Sequence, residues 1–517
     1  MKKNIIFAII GFTLLLITAC EKELELSPET LFTDGQVFSS EAGVEAAVNG
    51  MWVHFNSSEY HGASFHTLLN PHSGRFYSNQ GASSDATSLN CQPNNTWLER
   101  MWPGMYSAIN DANVIIENLE NTTLDLPNKN YALGQAYFIR GLSYFDLVQL
   151  FGDVPLKTAP ASKETLFTSR TPKAEVYAQV ISDLEKSKTL LPDFGEYRSE
   201  RPVKYAANAF LAKVYMRMAG EDDGNPSYWQ KAYDEAIQVY GKYTLLPSYA
   251  DLFSFNDNGP INENTEESIL ELQYGLIGAV RSNDIARSYT PSNYYLFPAS
   301  IPTFGRVRPN KEVFDEHVAQ YPGDPRIDVT FIFDEYVRNN GAIQKTYPAA
   351  PTGNNGFPYL KKYLDPTYNG TNEERNMIIM RYAEVLLMLA EIENELNGPD
   401  NAYQYVNAVL SRARNTVPGS IEPADWSGMT QDEFRNRIMN ERKYELLGEG
   451  QDWFDTRRRG YEYFLKEVVG KHNDNPTFDP SRDYEYPISV KNMLLPIPAS
   501  EISTNEEINQ GDQNPGY

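Results

Sequence analysis

Histidine is the residue in this chain best able to bind a metal or carry a proton, and four of the six lie close together: His54, His61, His66 and His72. Their spacings of 7, 5 and 6 fit neither a zinc finger nor a metal pair on one helical face. A ligating imidazole also needs a hydrogen-bonded partner behind it, so a polar loop is the preferred reading and no metal or cofactor is expected. Walker, Rossmann, His-Glu-x-x-His, EF-hand and Gly-x-Ser-x-Gly signatures are absent. The 69 acidic residues leave a glycosidase pair open, because such a pair is defined by separation in space. No two of them stand out.

A denser pattern is "ERKYELLGEGQDWFDTRRRG", Glu441 to Gly460. Arg457, Arg458 and Arg459 could hold an anion, yet Glu441, Glu445, Glu449 and Asp455 are close enough in sequence to neutralise them. Acids and arginines at i+3 and i+4 favour a structural ion-pair network, with Gly448 and Gly450 allowing a tight turn. Tyr and Asn are abundant, and tyrosine combines an apolar ring with a polar tip. That mixture suits polar organic ligands without defining a site.

The elements that must position these residues read as helices. Glu41 to Phe55 and Gly104 to Glu120 have helical period, split by a Gly/Ser/Asn-rich loop from Ser57 to Trp102. In "YALGQAYFIRGLSYFDLVQLFGDVP", Phe138, Leu142, Phe145 and Val148 or Gln149 fall on adjacent turns, and Gly152 and Pro155 stop the helix. Pro172 opens the next helix, through Leu191. Small residues at helical spacing recur at Ala206, Ala209 and Ala212, and Ala383, Leu387 and Ala390 repeat the arrangement. Helix, short turn, helix with recurring Ala and aromatic positions resembles a degenerate tetratricopeptide array, roughly four pairs that must stack to bury their faces. Between Tyr243 and Arg375 helical period is weak while Pro, Gly, Asn and aromatics are dense. A loop-rich segment of that length is functional or disordered, and its aromatics argue against disorder.

At the N-terminus, Lys2 and Lys3 precede an apolar run from Ile5 to Ile17, shorter than the roughly 20 residues a spanning helix needs. Ile17-Thr18-Ala19-Cys20 resembles a bacterial lipobox, which makes residues 1–19 a signal peptide, Cys20 a lipid attachment point and residues 20–40 a tether. Acyl chains contribute about 0.8 kcal/mol per buried methylene. Glu21, Glu23 and Glu25 read equally as solvated tether or as a surface-export signal. The net charge of −24 becomes −26 once Lys2 and Lys3 are removed, which excludes nucleic acid as a partner. With Cys20 lipidated, Cys91 has no disulfide partner and the fold must rest on packing.

Taken in order, "AYFIRGLSYFDLVQLFGDVPL", "RYAEVLLMLAEIENELNG" with "VNAVLSRAR", "ERKYELLGEGQDWFDTRRRG" and the ending "LLPIPASEISTNEEINQGDQNPGY" resemble the SusD/RagB family of Bacteroidetes outer-membrane lipoproteins. The resemblance runs from Cys20 to Tyr517; its one departure is Thr456, where an apolar residue is usual. It implies a single domain over 41–517: an all-α scaffold of tetratricopeptide-like helix pairs, mainly 104–242 and 375–465, and a loop-rich ligand-binding half at about 243–374. It further implies an outward-facing surface lipoprotein that captures glycans, or sometimes peptides, without catalysis, as the lid of a SusC-like TonB-dependent transporter. An all-α surface glycosidase and a purely structural cap on the barrel remain the competing classes. A glycan binder needs exposed aromatic faces beside polar groups. Two segments offer them: one with Tyr77, Asn79, Asp85 and Trp97, the other with Tyr289, Tyr294, Tyr295 and Arg306. Trp97, in an Asn-rich loop, leads. Trp102, opening a helix with Pro103, and Trp453 read as structural.

Overall fold

The computed structural model describes residues 33–194, 199–220, 224–257, 259–274, 283, 285–370 and 373–517, so the lipidation expected at Cys20 lies outside the described residues. The protein is built on helices: α1 Glu41–Phe55, α2 Ser64–His72, α3 Thr96–Asn121, α4 Lys129–Phe151, α5 Lys173–Leu190, α6 Lys204–Gly220 and α7 Tyr228–Val239. After an irregular segment containing α8 Lys311–Gln320 come α9 Tyr382–Asn397, α10 Tyr403–Arg414 and α11 Gln431–Leu446. Successive helices from α3 to α7 pack on one another, and α7 then packs directly on α9. The helical stack is therefore continuous in space although the chain leaves it for well over a hundred residues. The fold is all-α with tetratricopeptide-like pairs.

Helix α4 is the centre of the stack. From Ala132 to Phe151 every residue except Asp146 is buried, which marks a helix surrounded by others. Close approach is made possible by missing side chains. A Cβ on Gly134 would lie 2.8 Å from Leu191 Cδ2, and one on Gly141 would lie 3.2 Å from Leu184 Cγ. Arg140 then pins three helices: Nε and Nη2 grip the Asp183 carboxylate on α5 at 2.8 and 2.7 Å, while Nη1 donates to Asn113 Oδ1 on α3. The two parallel bonds fix geometry as well as charge.

The ion pairs of Glu441–Gly460 exist: Asp455 pairs within the segment, with Arg458 and Arg442, while the glutamates take partners from elsewhere. Glu441 and Glu445 take Arg326 at 2.6 and 3.0 Å; Arg381 takes Glu445, Glu449 and Glu267 at 2.6, 2.7 and 3.0 Å; Lys362 takes Glu449 at 2.7 Å. Of the three consecutive arginines, Arg458 pairs with Asp455 and Glu391. Arg457 meets no carboxylate among the described residues. Its Nε donates to the Asn492 carbonyl at 2.8 Å, and its guanidinium lies 4.4 Å from the Trp453 ring centre and 4.6 Å from that of Phe464. The helix carries its acids into the core, where arginines from distant segments converge, so proximity in sequence did not set the pairing of the glutamates. Gly448 and Gly450 sit at φ +79° and +81°, and a Cβ on Gly448 would strike Leu360 at 2.6 Å.

The segment from Ser57 to Trp102 is not the loop its composition suggests. Residues 60 to 78 are all buried and include α2 and the strand β1 Phe76–Ser78, while α3 begins at Thr96. Some buried polar side chains there find partners: Asn70 donates to the Tyr289 hydroxyl, and the Asn95 side chain caps α3 by accepting from Trp97 and Leu98 N–H, whereas the ring nitrogens of His61 and His66 make no hydrogen bond among the described residues. Part of the polarity is compensated by tertiary bonds, which composition does not show. The irregular segment contributes the strands β2 Ser268–Leu272, β3 Val307–Pro309, β4 Phe331–Ile332, β5 Glu335–Val337, β6 Ile343–Lys345 and β7 Tyr359–Leu360, and β8 Met377–Arg381 leads into α9. These pair antiparallel as β1 with β3, β2 with β8, β4 with β7 and β5 with β6.

Candidate ligand-binding site

The β1–β3 pair joins the two segments singled out in the sequence. Its register sets Tyr77 opposite Arg308 and Ser78 opposite Val307, and the Asn79 N–H then donates to the Arg306 carbonyl at 3.1 Å. From this pair a run of rings crosses the irregular segment. Tyr77 stacks on Phe357 with centroids 4.1 Å apart and planes at 10°. The Arg308 guanidinium lies 4.4 Å over Tyr359; Tyr359 meets Tyr336 at 5.7 Å, Tyr336 meets Tyr294 at 6.0 Å, and Tyr294 meets Tyr295 at 4.8 Å. Gly305, at φ +50°, lets the chain pass over this run, since a Cβ there would lie 2.4 Å from Tyr359 Cε1.

Most of these rings form a floor. Tyr77, Tyr294 and Tyr336 are buried, whereas Tyr295 is 53% exposed. Its N–H donates to the Val337 carbonyl at 3.1 Å, which fixes its backbone to the β5–β6 hairpin. Val337 and Ile343, opposite each other in that hairpin, are exposed as well. Exposed amides lie along the segments that carry the rings: Asn79, Asn293, Asn340 and Asn354 are exposed, and Asn339 donates its N–H to the Asn293 carbonyl at 2.8 Å, two residues before Tyr295. Half-buried Arg306 holds its guanidinium 4.0 Å over Phe304, whose carbonyl accepts from the Ser292 hydroxyl. Burial raises the Tyr77 hydroxyl pKa, and the positive charges of Arg308 and Arg482 oppose that rise. The surface therefore offers one projecting ring, exposed amides and a set of guanidiniums.

The other expected residues sit elsewhere. Trp97 is not on a loop: it lies in the first turn of α3 and is only 9% exposed, with Arg100 5.5 Å from its ring centre. Tyr289 is 1% exposed between Phe76 and Tyr363. Neither offers the exposed ring that was expected, because each is an apolar face closed by its own scaffold. Asp85 organises its turn, accepting from Asn95 Nδ2 at 2.7 Å and from the Gln92 N–H at 2.9 Å. Trp102 falls inside α3 rather than at its start and donates to Glu501 at 3.1 Å. Among the described residues, no group of three or more His, Cys, Asp or Glu side chains converges on a metal position. Sequence reading missed Tyr336, Phe357, Tyr359 and Arg308, whose only signal was the aromatic density of the segment.

A continuous helical scaffold carrying a loop-borne aromatic surface defines an all-α architecture of the tetratricopeptide-like class. The chain belongs to the SusD family, which residues 211–517 match, while residues 24–216 match a family described as starch-binding associating with outer membrane. SusD-like protein P2 of Formosa agariphila is 31% identical over 98% of this chain and 99% of its own length. SusD-like protein P25 of the same organism is 26% identical over 96% and 97%. Among solved structures, a SusD homologue from Bacteroides thetaiotaomicron superposes with a TM-score of 0.79 at 21% identity, covering 94% of this chain and 99% of the homologue. A laminarin-binding SusD-like protein gives 0.71 at 22%, covering 92% and 100%. A structure solved with a xylogluco-oligosaccharide gives 0.71 at 20%, covering 90% and 98%.

Proposed function

We propose that the protein binds oligosaccharides at the surface around Tyr295 and passes them, without cleaving them, to a SusC-like TonB-dependent transporter for which it acts as a lid. The observation that carries the reading is the exposed Tyr295 ring, backed by buried Tyr294 and carried on a segment with exposed amides. Pyranose rings have apolar C–H faces and a hydroxyl rim, and an exposed tyrosine beside asparagines meets both. Membership of the SusD family and the oligosaccharides named for two structural neighbours support it. The order of the chain is residues 1–19 as leader, Cys20 bearing lipid, residues 20–40 as tether and 41–517 as one domain with its ligand-binding half at about 243–374. Anchoring through Cys20 would keep the domain at the outer-membrane surface.

Calorimetric titration of the lipid-free protein with defined oligosaccharides tests the reading, alongside defined peptides. Micromolar-to-millimolar binding of a glycan that Tyr295→Ala weakens, with no shortened product on prolonged incubation, supports it. Peptide binding in place of glycan would replace the ligand class. Released shorter sugars would make the protein a glycosidase. Co-purification with a barrel and no ligand in either panel would favour the structural cap.

A further inference from the structure

We propose that the oligosaccharide taken at this surface carries anionic groups, carboxylate or sulfate, recognised by Arg308, Arg338 and Arg482. The inference rests on the glycan reading and narrows it. Its starting point is an anomaly of pairing. In a chain of net charge −24, Arg140, Arg326, Arg381, Arg412, Arg442 and Arg458 are buried and matched with carboxylates, whereas buried Arg375 and Arg457 are bonded to backbone carbonyls. Among the described residues, Arg308, Arg338 and Arg482 have no carboxylate within 4.0 Å.

All three border the run of rings. Arg308, 4% exposed, spends Nε on the Gly305 carbonyl at 2.6 Å and Nη1 on the Asn354 carbonyl, so its charge is met only by neutral acceptors and by the Tyr359 face. Arg338 follows β5 and is bridged through its backbone to Tyr294. Arg482 is exposed in the turn 479–483, whose two ends reach the same surface. Asp479 there accepts from the Gly353 N–H, and Asp483 takes Lys311, whose ammonium sits 5.0 Å over Phe357. Asp483 is held by Lys311 at 2.9 Å, Asp479 by Ser481 and Gly353, and Glu335 stands opposite Lys345 in the hairpin.

Guanidinium forks match carboxylate and sulfate oxygens with paired, charge-assisted hydrogen bonds, and arginine also stacks on aromatic faces. The strong overall acidity does not defeat this. At physiological ionic strength the screening length is about 8 Å, so exposed acids farther away are largely silent and the local arginines decide. A neutral sugar would leave the charge of Arg308 met only by neutral groups.

The test titrates the protein with three probes of similar length: a neutral β-glucan oligosaccharide, an oligogalacturonate and a sulfated galactan oligosaccharide, each at about 0.05 and 0.5 M NaCl. The expected result is that one anionic probe binds at least tenfold more tightly than the neutral one and weakens at the higher salt. The carboxylated and sulfated arms then tell which anion is read. Arg338→Gln and Arg482→Gln, both outside the helical stack, should each weaken that probe several-fold and leave residual neutral binding unchanged, with unfolding midpoints checked in parallel. A neutral probe that binds as tightly as either anionic one, or an affinity indifferent to both variants, overturns the inference while the glycan reading stands. Failure of all three probes, with a peptide bound instead, overturns both.

Discussion

At the scale of single residues, exposure separates two aromatic side chains that look equivalent in sequence. Trp97 and Tyr295 both lie in Asn-rich, loop-like surroundings, yet one is 9% and the other 53% exposed. The difference comes from Asn95, whose side chain caps α3 and draws Trp97 into the first helical turn. Substituting each should therefore fail in a different way. Tyr295→Ala removes a stacking face worth about 0.5–1.5 kcal/mol, so glycan affinity should fall about 2- to 12-fold with an unchanged melting temperature. Trp97→Ala leaves a cavity under α3 and should cost about 3–5 kcal/mol of stability. Calorimetry and thermal melts of the two variants check this; a Trp97 variant of unaltered stability that has lost affinity would put the tryptophan in the site after all.

At the scale of elements, helices were legible and strand pairs were not. The period of Phe138, Leu142 and Phe145 placed α4, and the alanines at 206, 209 and 212, all fully buried, marked where a neighbouring helix presses close. Strands of two to five residues leave no period to read, so the juxtaposition of Tyr77 with Arg308 had to come from the fold. Nor does a sequence say which arginine meets which acid. Glu445 lies in the same short stretch of sequence as three consecutive arginines, yet it is held by Arg326, Arg381 and Arg412 from other elements. These pairs join β8, α10 and α11 to the irregular segment, and breaking one side strands a buried charge. Arg381→Met should destabilise by about 3–5 kcal/mol, since Glu267, Glu445 and Glu449 all lose a partner. Replacing the exposed partner of a surface pair, as in Asp193→Ala opposite Lys204, should change stability by less than about 1 kcal/mol. Urea unfolding of both variants measures the contrast.

At the scale of the whole molecule, the buried titratable groups dictate how stability responds to acid. Burial pushes His66 and His317 down to about 4, and lowers His61 and His72 well below the ordinary value. Between pH 6.5 and 4 the unfolded chain takes up protons at these four sites while the folded chain does not, so folding weakens as pH falls. For His66 alone the shift corresponds to on the order of 3 kcal/mol. Asp146 and Glu263 act in the opposite sense, because burial raises both to about 7 and they already hold protons in the folded protein across this window. Burial also raises Asp183, Glu271, Asp315, Glu441 and Asp452, and at His472 the charge of Glu312 overcomes burial, all in the same sense as Asp146 and Glu263. The expected net loss rests on the four histidines, two of them held well below their ordinary range. Approach to the isoelectric point near 4.8 relieves repulsion among exposed acids, but that repulsion is largely screened at 0.15 M salt, whereas the buried terms are not. Below pH 4.5 the loss continues, since Arg412, Arg381 and Arg326 overcome burial and hold Glu445 at about 2, and that stabilisation disappears as pH falls from 4.5 towards 2. Denaturant midpoints measured at pH 7, 5.5 and 4 in 0.15 M salt should fall in that order, and His66→Gln should flatten the decline between the first two. A midpoint that rises on acidification would mean that the raised carboxylates and His472 outweigh the four histidines, and that the interior around α2 is open enough to water for His61 and His66 to charge without cost.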